Sequence, residues 1–170
     1  MDEAAFEALW HAHYADILAF SLRRLGDRQE AADATADTFL IAWRRSGEIP
    51  ENPRPWLFGV ALKVIANTRR GGRRRGALAS RLGERAVPAF AVHGHEPPGD
   101  VLAAFRTLAP ADQQILSLVA WEELTPAEAA EVLSMPVARF SVRLHRAKQR
   151  LRKRLSSPAP RENHLITETR

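Results

Sequence analysis

Cations at helical spacing are the residues here best placed to act on a partner, and their chemistry is neutralisation of a polyanion rather than bond-making. Arg139, Arg143, Arg146 and Arg150 recur at intervals of three and four, so at about 100° per residue they share one stripe of a helix. Phe140, Leu144, Ala147, Leu151 and Leu155 form an apolar stripe about a right angle away. The apolar stripe is expected to seat on a domain, leaving the guanidinium stripe free to meet phosphates. Ser141, Val142, His145 and Lys148 occupy a further face, and its early members are placed to reach base edges. A second cationic run, Asn67-Thr68-Arg69-Arg70-Gly71-Gly72-Arg73-Arg74-Arg75, is suited to tracking a single-strand backbone whose bases are held out of the stack.

Bond-making chemistry finds little support. Cysteine is absent, which removes thiol nucleophiles, disulfides and thiolate metal sites. There is no glycine-rich phosphate loop and no evident carboxylate pair. His11 and His13 would lie about 200° apart on a helix and cannot share a metal unaided. His93-Gly94-His95 is at most an adventitious ligand pair. No enzyme, metal or cofactor is expected.

The elements that must position these cations are helices. Residues 2–25 carry Phe6, Leu9, Trp10, Ile17, Phe20 and Leu25 and stop at Gly26. A second helix is expected over 28–45, with Phe39, Leu40, Ala42 and Trp43 late in it. Gly47, Pro50 and Pro53 mark a loop, and a third helix begins near Pro55, whose missing N–H costs nothing in a first turn. Trp56, Leu57, Val60, Ala61, Val64 and Ile65 recur in pairs every four positions, which is one helical face. Residues 76–99, with Gly83, Pro88, Gly94, Pro97, Pro98 and Gly99, read as a flexible linker holding a helical turn. Helices follow over 101–108 and 110–121, then two shorter ones. Thr125-Pro126-Ala127-Glu128 is a capping box, Ala129 and Ala130 permit a close crossing, and Ser134-Met135-Pro136 turns the chain into the cationic helix. That is a helix-turn-helix with its recognition helix last. No segment alternates with period two.

Charge falls in matched blocks. Residues 1–50 hold nine acidic against five basic side chains, and residues 51–75 hold seven basic against one acidic. Residues 100–135 hold six acidic against one basic, and residues 136–155 hold eight basic and none acidic. The pattern describes two modules, each with one cationic edge. The fold class is therefore all-α: two small helical domains joined by a flexible linker, the second a helix-turn-helix of the winged-helix-like or sigma region-four kind. The expected division is 1–75, linker 76–99, 100–156 and a disordered tail 157–170. No apolar run approaches the roughly 20 residues that span a bilayer, and the acidic start Met1-Asp2-Glu3 is unlike a secretory signal. A cytoplasmic location without membrane contact is expected.

Three segments carry a family resemblance in the second half: Leu108 to Leu116, Trp121 to Ala130, and Val142 to Lys148. They resemble the fourth conserved region of extracytoplasmic-function (ECF) sigma factors of the sigma-seventy family. Ala32 to Trp43 resembles the second region of that family, and Pro55 to Ala61 with Asn67 and Arg69-Arg70 resembles its minus-ten helix. The resemblance implies core RNA polymerase and promoter DNA as partners, with an anti-sigma factor as a possible third. Minus-thirty-five contacts would then fall to Arg139, Ser141, Val142, Arg143, His145 and Arg146. Minus-ten contacts would fall to Lys63, Asn67, Arg69, Arg70, Arg73 and Arg74. Core polymerase would meet Asp33, Asp37, Phe39 and Trp43. The chain departs from the family pattern at three places. Lys63 stands where Asn is usual, and it donates hydrogen bonds but accepts none. Ala36 stands for a frequent Gln, and Arg139-Phe140 for a common Thr-Val. The other function class compatible with these residues is a helix-turn-helix regulator acting without core polymerase.

Overall fold

The computed structural model describes residues 2–79 and 99–156, with side chains in 72–79 excepted. Those residues form seven α-helices and one 3-10 turn, with no strand among them.

α1 (Glu3–Leu25) starts where Asp2 accepts a hydrogen bond from the Ala5 N–H, which satisfies one of the orphan donors of a first turn. It ends at Gly26, whose left-handed φ of 78° lets its N–H reach the Leu22 carbonyl. α2 (Arg28–Arg44) is capped by Asp27 in the same way, through the Glu30 N–H. A 3-10 turn at Ser46–Glu48 leads into α3 (Pro53–Ala79). That helix runs four residues past the expected boundary at 75. Extending an existing helix fixes one residue per new hydrogen bond, so the glycines at 71, 72 and 76 weaken it without having to end it. The rest of the expected linker, 80–98, and the tail from 157 lie outside the described residues.

The second half holds α4 (Gly99–Arg106), α5 (Pro110–Ala120), α6 (Pro126–Val132) and α7 (Val137–Ser156). The expectation of two short final helices is corrected at α7, which has 20 residues. Its apolar stripe holds through Phe140, Leu144 and Ala147, all buried, but Leu155 is 42% exposed because the helix outruns the domain it packs on.

The front core is aromatic at one end and aliphatic at the other. Phe39 of α2 is fully buried among Trp10, Tyr14 and Phe6 of α1, with ring centroids 4.6, 6.4 and 6.5 Å away. Phe20 meets Phe58 of α3 at 4.8 Å. In the back half Phe105 lies edge-on to Trp121 at 4.8 Å, around Ile115, Leu118, Leu124 and Ala129.

The two halves are not held apart. One continuous apolar cluster runs through both, and α6 packs on α3. Gly59 of α3 faces the Val132 backbone of α6, where a Cβ would sit 3.8 Å from the carbonyl oxygen. Both expected modules are present and they pack on each other, while the connection between them lies outside the described residues. The apolar face of α3 is wider than α1 and α2 can cover, and the helix-turn-helix covers the remainder.

Candidate nucleic-acid interface

Thr125 caps α6 reciprocally with Glu128. The Thr125 Oγ1 accepts from the Glu128 N–H at 3.3 Å, and the Glu128 carboxylate accepts from the Thr125 N–H at 2.8 Å. The backbone hydrogen bond from Thr125, then that from its hydroxyl, hold the Glu128 carboxyl below the usual range. Ala129 and Ala130 are buried, as a close helix crossing requires. The turn runs through Ser134, whose φ of 49° is left-handed, and the Met135 N–H reaches back to the Ala130 carbonyl at 3.0 Å. α7 then starts, and Phe140 pins it to the domain.

With that face fixed, the cations of α7 fall outward. Arg139, Ser141, Val142, Arg143, His145 and Arg146 are all exposed. Only the last member of the expected arginine stripe departs. Arg150 donates to both carboxylate oxygens of Asp112 at 2.9 Å, tying α7 to α5. It braces the domain, with its side chain still 56% exposed. His145 sits beside Gln149, with 2.9 Å between Nε2 atoms.

On α3, Lys63 and Asn67 are exposed, and the Arg70 guanidinium donates to the Asn67 side-chain oxygen at 2.6 Å. Arg69 is half-buried and donates to the Arg24 carbonyl, capping the end of α1. A partly structural role for Arg69 was not legible in the run of arginines. Arg73 and Arg74 lie on the described backbone of α3, but their side chains fall outside the described residues.

The α2 surface also differs from expectation. Asp33 and Asp37 are exposed on one face, with the Gln29 amide donating to Asp33 at 2.9 Å. Trp43 is 43% exposed and lies edge-on to Phe6 at 5.0 Å. Phe39 points the other way, and its complete burial removes it from any interface. Leu40, 45% exposed, lies on the α2 surface near Asp37. An apolar residue one turn from each of an acid and a tryptophan was the signal that could have found it.

Among the described residues no three potential ligands cluster for a metal, and no helix is long and apolar enough to cross a membrane.

Comparison with known proteins bears on both halves. A family model described as Sigma-70 region 2 matches residues 9–75, and one described as Sigma-70, region 4 matches residues 99–151. A curated relative, the ECF RNA polymerase sigma factor SigL of Mycobacterium tuberculosis, is 35% identical over 82 residues, covering 46% of each chain. The chain thus spans about half the length of the curated relatives it matches. Three solved structures share the fold. The sigma factor RpoE in complex with the anti-sigma factor NepR from Bartonella quintana superposes with a TM-score of 0.66 at 20% identity, over 91% of this chain and 99% of that one. CnrH in complex with the cytosolic domain of CnrY gives 0.63 at 22% identity over 93% and 92%. The PhyRSL–NepR complex from Sphingomonas sp. Fr1 gives 0.61 at 16% identity over 99% and 100%.

Proposed function

The chain belongs to the sigma-70 family, and we propose on that premise that it is of the extracytoplasmic-function type, binds core RNA polymerase and directs promoter-specific initiation. The observation that carries this reading is the presence of regions 2 and 4 in order on one chain, each with an exposed cationic helix surface. Residues 1–75 form the polymerase-binding and minus-ten module, with Asp33, Asp37, Leu40 and Trp43 meeting polymerase. Complementary charge there would steer and orient docking, and Trp43 and Leu40 would supply apolar area. Lys63, Asn67 and Arg70 face the minus-ten strand, joined by Arg73 and Arg74. Residues 100–156 form the minus-thirty-five module, in which the phosphate contacts of Arg139, Arg143 and Arg146 set position. Ser141, Val142 and His145 meet base edges there.

The protein acts in the cytoplasm, where polymerase and promoter are. An anti-sigma partner fits the same reading, since RpoE, which shares the fold, is in complex with the anti-sigma factor NepR. Run-off transcription with purified core polymerase on fragments of the host genome tests the proposal. Discrete start sites that depend on the added chain are expected. Tight operator binding by the chain alone, with no initiation anywhere, would instead identify a regulator that works without polymerase.

A further inference from the structure

Two adjoining clefts lie where α5 meets α3, and among the described residues that line them are five cations and no acid. The larger, about 760 Å³, is lined by Arg24 of α1, by Arg69 and Arg70 of α3 and by Gln114 of α5, with Leu62, Ile65 and Pro110 as apolar walls. The smaller, about 350 Å³, shares Leu62, Ala111 and Gln114 with it and adds Lys63 and Arg143. Pro110 and Ala111 belong to the first turn of α5, where Ala109 makes no side-chain cap bond. The partly positive end of that helix adds to the cations.

The charge on the larger cleft is built in. Arg24 is 3% exposed and donates to Glu122 of the α5–α6 connection at 3.1 Å, to the Ser117 hydroxyl at 3.1 Å and to the Phe20 carbonyl at 3.2 Å. Burial lowers its pKa to about 10, against the pull of Glu122, so it stays charged at neutral pH. The neighbouring guanidinia of Arg23 and Arg69 work against that charge as burial does. An anion in the adjoining cleft would support it as Glu122 does. Arg69 is half-buried and fixed by its bond to the Arg24 carbonyl. Arg70 is exposed at the rim, and its bond to the Asn67 oxygen engages one guanidinium nitrogen.

We propose that the cleft between α3 and α5 binds a free nucleotide with several phosphates, seated by Arg69 and Arg70 in the field of Arg24, its base against Leu62, Ile65 and Pro110. The planar guanidinium fork matches phosphate oxygens. The volume falls in the usual range for small organic ligands, and an inorganic anion would leave the apolar walls without a partner. Gln114, half-buried in the wall shared by both clefts, can donate to and accept from a base edge. A DNA strand lying on the exposed Lys63, Asn67 and Arg70 needs no charge at the buried Arg24 or the half-buried Arg69. A ligand small enough to enter does. The site goes beyond the promoter reading, and its test needs neither DNA nor polymerase.

Isothermal titration calorimetry on the full chain at low salt, with ATP, GTP and inorganic pyrophosphate as probes, tests the site. Saturable binding of one nucleotide per chain is expected, at least about tenfold tighter than pyrophosphate because only the nucleotide covers the apolar walls. Gln114→Glu sets a carboxylate in the shared wall and should weaken ATP at least about tenfold. Arg152→Gln changes charge by the same amount at an exposed position of α7, and should shift ATP affinity by less than about twofold. Should Gln114→Glu lose its helical circular dichroism, the exposed Arg70→Gln decides, with a loss of about tenfold expected. No saturable nucleotide binding overturns the proposal. Pyrophosphate bound as tightly as ATP, or equal losses in Arg152→Gln and the cleft variants, also overturns it, since anions would then gather on the basic surface at large. A thymidylate decamer that outbinds ATP and is weakened as much by Gln114→Glu would assign the cleft to a strand and overturn the free nucleotide. Failure of the run-off assay would remove the promoter reading and leave each of these outcomes as it is.

Discussion

Two neighbouring apolar residues of α2 separate structure from recognition. Phe39 is buried against three aromatic rings, so Phe39→Ala should cost about 3–5 kcal/mol of stability, read by urea unfolding. Leu40→Asp should leave the unfolding midpoint nearly unchanged and still weaken binding to core polymerase at least tenfold in a titration. Equal loss of stability from both substitutions would contradict this division. A similar contrast holds within one stripe of arginines. Arg143→Gln and Arg146→Gln should each lower the slope of log affinity against log salt for promoter duplex by about one. Arg150→Gln should leave that slope alone and weaken the domain instead, because its partner is Asp112. Sequence spacing placed all four arginines on one face, and did so correctly. It could not register that an aspartate 38 positions earlier would claim the last of them.

At the scale of elements, local rules were decisive and legible. The capping box, the proline at the start of α6 and the turn through Ser134 are short-range chemistry, and the helix-turn-helix follows from them. Thr125→Ala should destabilise the back half by about 1 kcal/mol, measurable as a lower thermal midpoint. The same cap sets a pH dependence whose sign is fixed. The Glu128 carboxyl is held below its ordinary value by its hydrogen bonds from Thr125, so its contribution is complete above about pH 4.5. It is lost as pH falls through the lowered value, and protection of the Thr125 amide in hydrogen exchange should fall with it. In Glu128→Gln the amide should lose that pH response. Where sequence failed, the element ends were at fault. α3 runs past the boundary expected at 75, and α7 outruns its own domain, because both ends depend on what packs beside them.

The whole molecule was the least legible level, and the reason is distance along the chain. Arg23 of α1 and Glu122 of the α5–α6 connection meet in a buried ion pair between the halves, yet they are 99 residues apart, and no periodicity or cap connects them. Alternating charge blocks correctly marked two modules, yet they could not reveal that one acid from the second block is buried against two cations of the first. That asymmetry separates two effects of salt. Exposed guanidinia meeting phosphate are screened strongly, so with three phosphate contacts duplex affinity should fall about 40-fold between 50 and 200 mM salt, with a slope set by the number of phosphates met. A pair excluded from water is screened far less. The packing of the two halves in the isolated chain should therefore hold nearly constant across the same range, followed by energy transfer between dyes at Glu7→Cys on α1 and Lys153→Cys on α7. Packing that dissolved in step with DNA affinity would mean the interdomain cations are solvated, and the buried ion pair would be refuted by the same titration that maps the promoter surface.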